Sequence, residues 1–191
     1  MILQRLKQAT QMHHAALESR STLLDPALSQ ASYCDSLRRF LGYYAPLELR
    51  LLRSHAWCDA GLAYGDRHKT PLLERDLTAL GVTQVEMDDA PWCAALPDLR
   101  SVARIFGCLY VIEGATLRGL IVTRHLHATL GVTPQRGAAF FGGYGEHTGS
   151  QWKAFGLQLS TFAMRSGGDE EITAGANDTF ATLGRWLYPA P

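Results

Sequence analysis

VARIFGCLYVIEGATLRGLIV, residues 102–122, is the longest apolar run in the chain, interrupted by Arg104, Glu113 and Arg118. Three charges in one span are expensive in lipid but sustainable in a protein interior that supplies partners. The run therefore reads as a buried helix rather than a membrane crossing. Asp98 or Ser101 offers a side-chain oxygen to open the helix, and Gly131 offers a left-handed stop. Toward the C-terminus, residues 135–148 are glycine-rich around Phe140 and Phe141 and predict a structured loop. A helix over residues 149–165 follows, closed by Gly167 and Gly168, and a last helix over 169–187 ends ahead of Pro189.

Toward the N-terminus, Pro91 and Pro97 mark a connection. A short helix begins near Pro71, where Thr70 can cap and proline suits the first turn, and it ends at Gly81. Residues 61–68 are polar and loop-like. A long helix from Ser29 or Ser32 past Leu52 turns Tyr33, Leu37, Phe40, Leu41, Tyr44 and Leu47 inward, with Pro46 as a kink or a break. The first helix covers residues 2–19, with Leu3, Leu6 and Leu17 as its apolar positions. Strand-like alternation does not persist anywhere and no repeat is visible. The expected fold class is all-α, with six to eight helices in a single domain over residues 1–191.

Composition narrows the function classes. Apolar residues make up 47% and charged residues 19%, which excludes a disordered chain. Lys plus Arg and Asp plus Glu balance at 18 each, and no run of like charge would draw nucleic acid. Cys34, Cys58, Cys93 and Cys108 form no CxxC pair and read as reduced, mostly buried thiols of a cytoplasmic protein. The N-terminal residues lack an apolar core followed by a small-residue cleavage site, which argues against a signal peptide.

The opening helix carries a polar seam. At 100° per residue, Lys7, Thr10, His14 and Glu18 fall on one stripe beside the apolar stripe. A neutral imidazole binds a metal through one nitrogen and donates its other N–H to an acceptor, and Glu18, one turn on from His14, suits that part. Lys7 suits an anionic group of a ligand lying over the seam. The adjacent His13 projects closer to the apolar stripe, and the wheel alone does not choose between the two.

The run LKQATQMHHAALE resembles the opening helix of heme oxygenases. That family has a Leu, a Lys and a Thr, then the proximal His four residues after the Thr and an acidic residue four after the His. The register selects His14 as the axial ligand of heme iron, with Lys7, Thr10 and Glu18 as its neighbours. LYVIEGATLRGLIVTRHL, residues 109–126, is similar to the distal helix of the bacterial heme oxygenases associated with bacteriophytochromes. GYGEHTGSQWKAFGLQL, residues 143–159, resembles the YG…TG…W…F segment of the same branch. The three matches occur in the family's order and span nearly the whole chain.

The resemblance implies heme sandwiched between two helices and opened to biliverdin, CO and free iron with O2 and an external electron donor, a ferredoxin or a flavin reductase. A bacteriophytochrome as biliverdin acceptor is implied only at the level of the branch. Lys7 and Lys153 become the expected partners of the heme carboxylates. Gly114 and Gly119 become the positions where distal backbone approaches the heme, and Thr116 a candidate hydroxyl near bound ligand, unless it back-bonds its own helix.

One position departs from the pattern. Where the family commonly has two adjacent glycines in the distal helix, the first is Arg118. A guanidinium over a heme face is costly unless paired, so Arg118 is expected to reach a heme carboxylate or an acidic residue and to alter the distal pocket. That departure keeps open a non-catalytic heme carrier or sensor. Thiaminase-like and PQQ-synthesis relatives share the architecture, but none of their motifs is evident.

Overall fold

The computed structural model describes residues 1–54 and 64–189. Among them nine α-helices and two short 3-10 turns occur, and no strand. The helices are α1 (Ile2–Ala9), α2 (Gln11–Arg20), α3 (Gln30–Arg53), α4 (Thr70–Ala79), α5 (Gln84–Asp88), α6 (Val102–Leu130), α7 (Ala139–Gly142), α8 (Thr148–Ser166) and α9 (Asp169–Leu187).

The predicted first helix is cut at Thr10, whose hydroxyl donates to the Leu6 carbonyl at 2.8 Å. Such back-bonding competes with regular helix geometry, and Thr10 sits at φ −101°, ψ 0° between α1 and α2. The short helices α5 and α7 are the other additions to the expected set. Thr83 and Glu86 cap α5 reciprocally. In α7, the N–H groups of Ala139 and Phe140 donate to the buried Asp76 carboxylate at 2.7 and 2.8 Å. An acidic side chain from α4 thus anchors the two phenylalanines.

The central element is α6, opened by Ser101 accepting from the Arg104 N–H and closed by Gly131 at φ 69°. By length and composition it is long and apolar enough to cross a membrane, yet 61% of its most apolar window is buried inside the protein. It packs against α7, α8 and most extensively α9. Two glycines make the α6–α9 crossing close. A Cβ on Gly107 would meet the Ile172 carbonyl oxygen at 2.1 Å, and one on Gly175 the Arg104 carbonyl oxygen at 2.4 Å.

Pro46 neither splits nor ends α3. Proline supplies no N–H for the carbonyl four residues back. That carbonyl, on Gly42, accepts instead from the Cys93 N–H at 2.8 Å, so the loop after α5 docks where the helix lost its own bond. Cys34, Cys93 and Cys108 are buried free thiols. Cys58 and residues 61–63 lie outside the described residues, and the rest of the stretch read as a loop over 61–68 carries a short 3-10 turn, Gly65–Arg67.

Candidate functional site

Between α1–α2 on one side and α6 on the other lies a cavity of about 570 Å³, inside the range usual for small-molecule and cofactor sites. Its walls are mainly apolar, with Tyr110, Trp152, Phe140, Phe141 and Phe180 as the large side chains. Lys7, Thr10, His14 and Glu18 all line it. The 100° spacing of the seam survives the break at Thr10 because the His14 N–H still donates to the Thr10 carbonyl at 2.9 Å.

The structure separates the two histidines. His13 stacks against Phe180, with ring centroids 6.4 Å apart and planes 7° from parallel, and it is not on the cavity wall. His14 meets the same ring edge-on at 6.0 Å and faces the cavity. Its Nδ1 lies 3.3 Å from Glu18 Oε1, which leaves Nε2 as the nitrogen available to a ligand. Partial burial, and secondarily the positive charge of Arg118, hold the imidazole's pKa below its ordinary value, so the ring is neutral at neutral pH.

Arg118 lines the same cavity from α6. Its Nη1 pairs with Glu18 Oε1, the oxygen that also faces His14. One carboxylate therefore ties the imidazole of α2 to the guanidinium of α6 across the cavity. Among the outcomes expected for Arg118, the acidic partner is the one present. The pair is half-exposed, at 42% and 32%.

The remaining predicted positions divide. Gly114 and Gly119 both line the cavity. A Cβ on Gly114 would make an ordinary 3.6 Å contact with Trp152, whereas one on Gly119 would meet the Phe141 carbonyl oxygen at 2.1 Å. Gly119 therefore lets α6 pass close to α7. The Thr116 hydroxyl donates to the Glu113 carbonyl at 2.6 Å, so it back-bonds its own helix. Lys153 is exposed and off the cavity wall, although its neighbour Trp152 is on it.

Sequence reasoning missed the polar cluster behind α6. Glu113 is 1% exposed and accepts from Arg67 Nη1 at 2.7 Å and from the Tyr144 hydroxyl at 2.9 and 3.0 Å. Glu48 of α3 is fully buried and accepts from the Tyr64 hydroxyl, the Lys69 and Thr70 N–H groups and the Thr70 hydroxyl, with His68 Nε2 at 2.9 Å. Lys69 joins this cluster to the cavity: it is 2% exposed, lines the cavity, and holds Nζ 3.6 Å from the Tyr144 ring centroid. Burial lowers its pKa to about 8 against the supporting charges of Glu113 and Glu48. The available signal was Glu113 itself, since a charge in mid-core demands a buried cation. The sequence does not say which.

An apolar slot between two helices, with His14, Lys7 and Arg118 among its lining residues, defines an all-helical protein with a concave, mainly apolar site of small-molecule size. Comparison with known proteins makes this particular. The family model described as "Heme oxygenase" matches residues 1–188, and the chain belongs to that family. The solved heme oxygenase from Leptospira interrogans shares the fold at TM-score 0.79 and 16% identity, with 99% of each chain covered. Among curated proteins none matches the sequence.

Proposed function

We propose that this chain binds heme in the cavity between α2 and α6 and cleaves it oxidatively to biliverdin, CO and iron. The observation that carries the reading is the neutral His14 imidazole on the wall of an apolar cavity, backed at Nδ1 by Glu18. Unprotonated nitrogen is what iron requires, and a carboxylate on the other ring nitrogen fixes the tautomer. The whole chain, residues 1–191, acts as one domain on this reading, in the cytoplasm.

Heme, when bound, supplies the redox chemistry, with O2 and electrons from an external donor such as a ferredoxin or a flavin reductase. The chain's residues supply position. His14 Nε2 holds the iron. Lys7 at the rim holds an anionic edge. Phe140, Phe141 and Phe180 exclude water. Gly114 and Gly119 keep α6 low over the slot, and the back-bonded Thr116 leaves its methyl rather than its hydroxyl free. Lys153 reaches a carboxylate only by turning in from the surface. A bacteriophytochrome is a candidate acceptor of the biliverdin.

A second reading, heme binding without ring opening, is favoured by Arg118. Its guanidinium reaches from the distal helix to the proximal one, so a ligand entering the slot must displace it from Glu18 or accommodate it. One experiment separates the two. Hemin-loaded protein is given ascorbate in air with catalase present. Decay of the Soret band with growth of a broad red bilin band is the expected result. A stable Soret band supports the carrier reading, and the absence of a protein-bound Soret band overturns both. His14→Ala is expected to lose the axial-ligand spectrum and turnover together.

A further inference from the structure

Lys69 is a buried cation for which the reading above has no use. It enters the cavity from the segment before α4, whereas His14 enters from α2. Among the described residues no carboxylate lies within ion-pair distance of its Nζ, although the cluster contains two. Glu113 is taken up by Arg67 and Tyr144, and Glu48 by Tyr64, His68, Thr70 and the Lys69 N–H itself. That last bond, at 2.7 Å, pins the Lys69 backbone, so the side chain is held in place rather than trailing to solvent. The face of the Tyr144 ring supports the ammonium from one side. Nearby, Tyr44 and Phe140 line the cavity, and the Thr116 hydroxyl is committed to the Glu113 carbonyl.

An ammonium this buried, with no carboxylate at ion-pair distance, is costly, and a methionine of similar length would fill the same space at less expense. We infer that Lys69 is an anion subsite inside the cavity: a fixed donor of charge-assisted hydrogen bonds to a small anion, or to the negative end of a small ligand, admitted beside the main ligand. It rests on the heme reading only for the identity of that main ligand. The charged groups facing it are Glu48 from α3, Glu113 from α6 and Arg67 from the preceding turn, with the neutral Tyr144 ring from the loop before α8 beside them. Arg118 is committed to Glu18.

The test compares anionic with neutral small ligands. Hemin-loaded wild type, Lys69→Met and Lys69→Arg are titrated with azide, fluoride and neutral imidazole, followed by the Soret shift. A lost charge-assisted hydrogen bond predicts azide and fluoride weakened roughly 10- to 100-fold in Lys69→Met. Imidazole should stay within about twofold, and Lys69→Arg should recover most of the anion affinity. Equal changes for anions and imidazole, or no change in either, overturn the subsite. If hemin does not bind, the heme reading fails separately and the free protein decides. The chain has three lysines, so 13C-lysine labelling gives three Cε signals. Movement of the Lys69 signal alone on adding azide supports the subsite. A still signal, or equal movement of all three, overturns it.

Discussion

Of the arginine–glutamate pairs that join α6 to other parts of the molecule, two are opposites in setting. Arg118 of α6 pairs with Glu18 of α2 at the cavity, at 42% and 32% exposure. Glu113 of α6 pairs with Arg67 behind the helix, at 1% and 8%. The exposed pair sits in high dielectric, is screened by salt, and contributes little to stability. The buried pair has given up its hydration and holds only while every member keeps its partners. Equivalent chemistry thus makes a fixed floor on one side of α6 and an openable tie on the other, and a cavity that must admit a ligand needs both.

The largest expected effect comes from breaking the buried side. Glu113→Ala strands the Arg67 guanidinium in the core and orphans the Tyr144 hydroxyl. It is expected to cost about 3–5 kcal/mol of unfolding free energy, measured by chemical denaturation. A loss as small as that of Glu18→Ala would mean the two settings are energetically equivalent, and the contrast would collapse.

Lys69 sharpens the contrast, because it belongs to the buried cluster but meets no carboxylate at close range. Its pKa is lowered from 10.5 to about 8 in the folded protein. Between those values the unfolded chain keeps the proton and the folded chain releases it, so this group makes stability rise with pH across that window. Below about pH 8 both states are charged and the full cost of burying the ammonium, up to roughly 3 kcal/mol, is present. Lys69→Met is therefore expected to be more stable than wild type at pH 7, with the difference shrinking as pH rises from about 8 toward 10.5. Denaturation at three pH values checks it, and a destabilised Lys69→Met would assign the lysine to structure alone.

The two glycines of α6 give the next contrast. In Gly119→Ala the new methyl meets the Phe141 carbonyl oxygen, so α6 or α7 must shift, at about 1–3 kcal/mol, carrying Phe141 in the cavity wall with it. In Gly114→Ala the methyl has ordinary contact distance to Trp152, so the change is expected to stay within about 1 kcal/mol. Thermal midpoints and hemin affinity of the two variants should separate accordingly. Equal behaviour would show that both glycines serve the same purpose.

The half of the site on α1 and α2 was legible in the sequence and the polar cluster behind α6 was not, for a physical reason. Lys7, Thr10, His14 and Glu18 lie within one helical stretch, where a 100° rotation fixes which residues share a face, and all four line the cavity. Long helices with caps at Ser29, Ser101 and Gly131 were equally readable because their signals are local. The cluster of Glu48, Arg67, Lys69, Glu113 and Tyr144 is assembled from four separate segments, so no spacing in the chain announces it. The choice of His14 over His13 came from the family register, and the wheel left it open. Thr10 was readable as a seam residue but not as the break between α1 and α2, since that depends on its rotamer.

The smallest expected effect on stability belongs to Arg118, and it is the most informative about function. Arg118→Gly removes an exposed pair, so unfolding free energy should change by about 1 kcal/mol or less, and less still in high salt. The effect on the cavity is larger. The tie across the slot is gone, and hemin association is expected to become faster without a matching change in dissociation. Acid sensitivity should also move. The Arg118 charge is one of the two causes that depress the His14 pKa, after burial. Without it the imidazole takes up a proton at a higher pH, and a protonated ring cannot ligate iron. The pH at which hemin is released should therefore rise in Arg118→Gly. Stopped-flow mixing with hemin and an acid titration of the Soret band measure the two effects. If the association rate is unchanged while the acid midpoint rises, Arg118 tunes the ligand histidine without gating the slot. If neither moves, the guanidinium already stands clear of the ligand path, and the departure from the family's paired glycines carries no functional consequence.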